Sequence, residues 1–140
     1  MTPAAKKIKK PNKTAPFKEY ILYYMKRKGW NQADLVQCSR QQQSQVSKII
    51  NGKVQWVPMD VLICFILALQ LNVKESIDLL ARMERAFSPA SDLHKTYIEL
   101  IKLYASPEKK FPKDSTMLNE ADQFLMERNY SSLPNDENKL

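Results

Sequence analysis

The chain has 140 residues, 44% of them hydrophobic, with only two glycines and eight prolines. That length suits one compact core with an appendage, and so little glycine favours helices over a turn-rich β fold. Cys38, Cys64 and the lone His94 are too few for a disulfide framework or a zinc site. The apolar run VLICFILAL covers nine residues, well short of a bilayer crossing. The opening MTPAAKKIKK lacks the apolar stretch of a secretory signal. A reduced, cytoplasmic, all-α protein with no membrane contact is expected. The sequence has no glycine-rich phosphate loop, Ser-His-Asp pattern or supported carboxylate pair. No enzyme, catalytic residue, cofactor or metal is therefore expected, and His94 reads as a surface or packing residue.

The net charge of +7 is unevenly distributed. Residues 1–30 hold nine Lys/Arg against one acid, residues 31–89 six against five, and residues 90–140 seven against nine. A basic head on a nearly neutral body points to a polyanionic partner, with a solubilising tail as the plainer alternative. Residues 1–15 carry Lys6, Lys7, Lys9, Lys10 and Lys13 with almost nothing to bury, which predicts a mobile basic arm.

Seven helices are predicted after it. In FKEYILYYMKRKGW, Phe17, Ile21, Tyr24, Met25 and Lys28 follow helical spacing until Gly29. Asn31 can cap a second helix, with Asp34 completing a capping box and Leu35 and Val36 facing inward. A tight turn at 38–41 leads to a third helix over 42–50, stopped by Asn51-Gly52. On it Val46, Ile49 and Ile50 share one side, leaving Gln43, Ser44, Ser47, Lys48 and Asn51 on the outer arc. Two short helices joined by a tight turn, the second with a polar outer face, form a helix-turn-helix arrangement.

Pro58 opens a fourth helix, PMDVLICFILALQL, apolar nearly all round and so in need of cover on several sides. Asn72 and Glu75 can cap a fifth, whose stripe is Val73, Ile77, Leu80 and Ala81. Ser88-Pro89 should start a sixth, with Leu93, Tyr97, Leu100, Ile101 and Tyr104 at helical spacing. A loop SPEKKFPKDS precedes a seventh over TMLNEADQFLMERN, and SSLPNDENKL reads as a frayed acidic tail. Residues 75–89 and 120–134 echo each other at Glu75/Glu120, Leu80/Leu125 and Pro89/Pro134. That echo is either chance or the mark of two similar helical hairpins packed on the fourth helix.

KGWNQADL (28–35), QSQVSKIINGK (43–53), the Pro58 helix start and ILALQLNVKESIDLL (66–80) together resemble the lambda-repressor-like, or XRE-type, helix-turn-helix family of bacterial and phage regulators. The resemblance implies a five-helix lambda-repressor-like domain over 16–87. A helical extension of two or so helices over 88–130 and a flexible tail over 131–140 complete the chain. It implies a phosphate contact from Gln32, base-edge contacts from Gln43 and Ser44, and further contacts from Gln42, Ser47, Lys48, Asn51 and Lys53. A Gln carboxamide donates and accepts in one plane, matching adenine N6 and N7.

The sequence departs from the family pattern in two places. Arg40 stands where the family usually has its turn glycine, flanked by Ser39 and Gln41 instead of aliphatics, which makes Arg40 a candidate phosphate contact. Met25 and Ile50 replace a frequent Arg–Glu ion pair, and they are predicted to touch.

The expected function is a sequence-specific transcriptional regulator, a repressor, that binds double-stranded DNA as a homodimer. Arm lysines tracking phosphates would add a log–log salt slope of about −4 to −5. The alternative is a protein-interaction module of antitoxin or adaptor type, using the all-apolar fourth helix and the C-terminal helices to hold a protein partner.

Overall fold

A computed structural model describes residues 8–136, and among them lie seven helices and no strand. Helix α1 (Phe17–Lys28) buries Phe17, Tyr20, Ile21, Tyr24 and Met25, and ends at Gly29 in the left-handed conformation, φ 72°. Lys28 lies off the apolar stripe, with its Nζ donating to Gln70 Oε1 at 2.6 Å. Helix α2 (Gln32–Ser39) starts in a reciprocal capping box. Its Asp34 amide donates to Asn31 Oδ1 at 2.9 Å, and the Asn31 amide to Asp34 Oδ2 at 3.0 Å.

The turn that follows is tighter than predicted, because α2 runs through Ser39 and only Arg40, at φ 57°, is left-handed. Gln42 then serves as N-cap of α3 (Gln43–Ile50), which buries Val46, Ile49 and Ile50. Met25 and Ile50 belong to the same core cluster, and α1 packs on α3. That packing is what a pair of apolar residues in place of an ion pair would support.

Helix α4 (Met59–Ala68) is shorter than its apolar run suggests. Gln70 turns left-handed at φ 54°, and the Leu71 amide donates back to Ile66 O at 3.1 Å. This swings Leu71 into the core instead of extending the helix. Every residue from Val61 to Ala68 is buried, because α2, α6 and α7 all pack on α4. The apolar circumference is thus consumed within the chain.

Helix α5 (Val73–Ala81) begins in a second capping box, Asn72 with Glu75. Its buried face is Ser76, Leu79 and Leu80, whereas Ile77 and Ala81, predicted to face inward, are exposed. The stripe was misphased because Ser76 reads as polar. Its hydroxyl donates to Asn72 O at 2.7 Å, so it can be buried satisfied against α1 and α6.

Helix α6 (Asp92–Tyr104) starts three residues later than Ser88-Pro89 implied, with Ser91 as N-cap. Residues 88–91 instead close a turn in which the Ser88 amide donates to His94 Nδ1 at 2.8 Å. His94 is therefore a packing residue, set between Phe87 and Tyr97.

Helix α7 (Thr116–Met126) ends as α5 does. Arg85 and Tyr130 donate to Leu80 O and Leu125 O, while Glu84 and Asn129 are left-handed at φ 55° and 67°. The sequence echo therefore extends to matched helix terminators. The packing is not matched, since α7 lies on α4 whereas α5 lies on α1 and α6.

Among the described residues, 11–15 and 131–136 are more ordered than predicted, and residues 137–140 of the expected tail lie outside the described residues. Lys6 and Lys7 lie outside the described residues. Residues 11–15 are fastened, with Tyr20 Oη donating to Pro11 O and Asn12 O, and Arg82 donating to Lys13 O and Ala15 O. The Arg82 guanidinium also sits 3.7 Å over the Tyr20 ring. In the tail, Leu133 is buried, so residues 131–136 are docked rather than frayed.

Two left-handed residues join the first five helices to the rest. Gln70 Nε2 donates to Tyr104 O and Lys109 O at 2.9 and 3.1 Å. Arg40 reaches α7 and the tail. A left-handed non-glycine residue costs about 1 kcal/mol. In both cases the side chain that makes the turn awkward is the one that captures the C-terminal half.

Candidate nucleic-acid interface

The three aliphatics of α3 fix its orientation, since Val46, Ile49 and Ile50 all point into the core. The opposite arc is open to solvent. Gln43, Ser44, Lys48 and Asn51 are exposed, and Ser47 is half-buried between them. Asn51 Nδ2 donates to Ser47 Oγ at 3.3 Å, which steadies one end of the arc. Gly52 takes φ 71°, and Lys53 beyond it is exposed. A Cβ at Gly52 would lie 3.8 Å from Lys18 Cδ, so the first turn of α1 adjoins the end of α3. Residues 11–15, which lead into that turn, are held against the fold by Tyr20 and Arg82.

The electrostatics of this face are one-sided. The chain carries no acid between Asp34 and Asp60, while Lys48 and Lys53 are exposed in that interval. The first turn of α3 holds no acidic side chain either, leaving the positive end of the helix dipole uncompensated. Gln32 is half-buried in the first turn of α2, and Gln42 is half-buried at the N-cap of α3. Lys9, Lys10 and Lys13 are exposed, with Lys10 and Lys13 lining a groove against α5.

Arg40 does not join this surface. Its side chain is 1% exposed and turned away from the outer arc of α3. Nη1 and Nη2 grip the Asp122 carboxylate at 2.6 and 3.2 Å, and Nη1 also donates to Asn119 Oδ1 at 2.9 Å. Arg40 is therefore corrected from a phosphate contact to an internal tie. The reason is that Asp122, 82 residues away, supplies the anion that the turn lacks.

One residue beside the arc, Lys18, carried no sequence signal as a contact. Lys18 is brought there by α1, while Gln55 and Trp56 stand exposed in the loop after α3. Trp56 is 61% exposed, with the Arg85 guanidinium 4.9 Å over its ring.

The remaining polar chemistry is structural. Burial pushes the Cys38 thiol up to about 11 and raises Cys64 further still, so neither is a thiolate at neutral pH. Among the described residues, no group of His, Cys, Asp and Glu could hold a metal ion. No described helix is long and apolar enough to cross a membrane.

Residues 21–79 match the Cro/C1-type helix-turn-helix DNA-binding domain family, which is typically non-enzymatic. No curated protein and no solved structure shows significant similarity to the chain. The matched span covers all of α2 to α4, most of α1 and nearly all of α5, with α2 and α3 as the paired helices. Residues 21–79 are thus a Cro/C1-type helix-turn-helix DNA-binding domain, built on the first five helices and followed by further C-terminal helices.

Proposed function

We propose that the protein is a sequence-specific transcriptional repressor that lays α3 in the major groove of duplex DNA. The observation that carries this reading is the division of α3 into a buried aliphatic face and an open carboxamide and hydroxyl face. Gln43 and Ser44, at the leading end of the helix, read base edges. A bidentate Gln–adenine pair supplies roughly 1–3 kcal/mol of discrimination. Ser47 and Lys48 follow one turn on. Gln32, Gln42, Asn51 and Lys53 hold the phosphates on either side, joined by Lys18.

The arm lysines extend the phosphate contacts and make affinity strongly dependent on salt. An eight-residue helix spans few base pairs, so a symmetric pair of protomers on two half-sites doubles the discrimination. Occupying an operator is enough to exclude polymerase, so repression asks nothing beyond this interface. The competing protein-module reading rested on α4 and on the apolar residues of α6. Val61 to Ala68 are buried within the chain, as are Tyr97, Leu100, Ile101 and Tyr104, which leaves Leu103 as the one exposed large apolar side chain of α6.

Selection of duplexes from a random-sequence pool tests the reading, followed by titration of the selected duplex between about 50 and 200 mM salt. Enrichment of a recurring, two-fold symmetric site with a steep salt slope is expected. A pool that yields no enriched sequence would contradict it.

A further inference from the structure

A heavily bonded polar group lies behind the proposed DNA-reading face. The Arg40 guanidinium donates to Asp122 through two nitrogens, to Asn119, and to the carbonyls of Leu133 and Pro134 at 3.2 and 3.4 Å. The Arg40 backbone carbonyl accepts from the Asp136 amide at 2.8 Å. Asp122 Oδ1 closes the circuit by accepting from the Leu133 amide at 2.9 Å. Neighbouring Gln41 points its Nε2 at Ser39 O and Pro134 O. Residues 133–136 are thus held as an extended strap, mainly through their backbone, with the Leu133 side chain plugged into the core.

The turn clamped in this way sets the angle between α2 and α3. We propose that Arg40 and Asp122 are positioning residues for the DNA-reading helix. The strap over 133–136 is then a coupled element, whose docking favours the arrangement of α3 that binds duplex. This rests on the proposed reading of α3 as the duplex-contacting helix.

Three features carry the inference. A left-handed arginine is kept where glycine would be relaxed, so the side chain has a use. Its charge is buried, so removing the partner cannot be absorbed by solvent. Every bond it makes beyond its own turn goes to α7 or the strap, so the turn cannot shift without disturbing both. Linkage is reciprocal: if a docked strap tightens duplex binding, bound duplex must tighten strap docking by the same factor. A binder of the chain's C-terminal end would then weaken DNA binding without touching α3.

The test uses the full chain and a duplex selected from the random pool. Amide hydrogen exchange at Leu133 and Asp136 is followed with and without that duplex, and duplex affinity is measured for Asp122→Asn. Bound duplex should slow exchange at both amides in the natural chain. Asp122→Asn should lose about 5- to 150-fold in affinity, the span of ordinary coupling energies, while keeping its helical circular dichroism. Leu133→Ala leaves the ion pair in place and serves as the second variant should Asp122→Asn fail to fold. Unchanged affinity in a folded variant, or strap amides indifferent to duplex, would overturn the proposal.

If the natural chain selects no duplex, the reading of α3 has failed, not the clamp. The clamp then stands or falls on exchange at residues 41–44 in Asp122→Asn. Faster exchange there supports it, and unchanged exchange refutes it.

Discussion

The run SRQQQSQ, residues 39–45, divides into two regions with nearly the same composition and opposite fates. Ser39, Arg40 and Gln41 are 0%, 1% and 0% exposed, whereas Gln43 and Ser44 stand in solvent. Water does not choose between them, since both are polar. The buried trio lies where α7 and the strap arrive with a carboxylate and backbone carbonyls. The exposed pair lies on the far side of Val46, Ile49 and Ile50, where no described residue covers it. Distant partners meet most, though not all, of the polar atoms of Arg40 and Gln41, since Arg40 Nε and Gln41 Oε1 are buried without one. Gln43 and Ser44 keep theirs open to a ligand.

The contrast can be broken most sharply from its buried side. Asp122→Ala leaves the Arg40 guanidinium without its counter-charge, which should cost about 3 kcal/mol in urea unfolding, the lower end for a broken buried pair. Replacing both partners as Arg40→Gly with Asp122→Leu should recover much of that loss, because glycine relaxes the turn and no charge is stranded.

On the exposed side, Gln43→Ala should leave stability within about 0.5 kcal/mol of the natural chain. It should still remove roughly 1–3 kcal/mol of preference for the selected duplex over a scrambled one. The same substitution thus costs nothing where it is exposed and everything it has to give where it reads.

A smaller effect belongs to the tie between α1 and α5. Burial pushes the Glu75 carboxyl up, but hydrogen bonds from Arg27 and the Asn72 amide outweigh it and hold the group below its ordinary range. A lowered folded-state value means the contribution is complete above the unfolded carboxylate range and is lost as pH falls through the lowered one. Acid unfolding should therefore steepen there. Arg27→Ala should flatten that part of the curve by less than about 1 kcal/mol, since Arg27 is partly exposed. Smallest of all, Lys53→Ala should weaken every duplex alike and reduce the salt slope by about one.

Much of the fold was legible in the sequence because its signals are local. Asn31 with Asp34 and Asn72 with Glu75 form the expected capping boxes, and Gly29 and Gly52 are left-handed where helices stop. The phase of α3 followed from three aliphatics at helical spacing. What could not be read depends on partners far along the chain. Arg40 looked like a surface cation because its anion is Asp122. The tail looked frayed because Leu133 is one apolar residue among polar ones, and its anchoring is carried by backbone groups that no side-chain pattern encodes. The stripe of α5 was misphased for a related reason, a serine that is buried only because a backbone carbonyl four residues back accepts its proton.

The most direct test is an amide chemical-shift map of the isotope-labelled full chain as the selected duplex is added. The largest changes are expected at Gln43, Ser44, Ser47, Lys48 and Asn51, with Ser39 and Gln41 moving far less. Changes centred on the groove between the arm and α5, or on the outer faces of α6 and α7, with α3 silent, would contradict the assignment of α3 as the reading element.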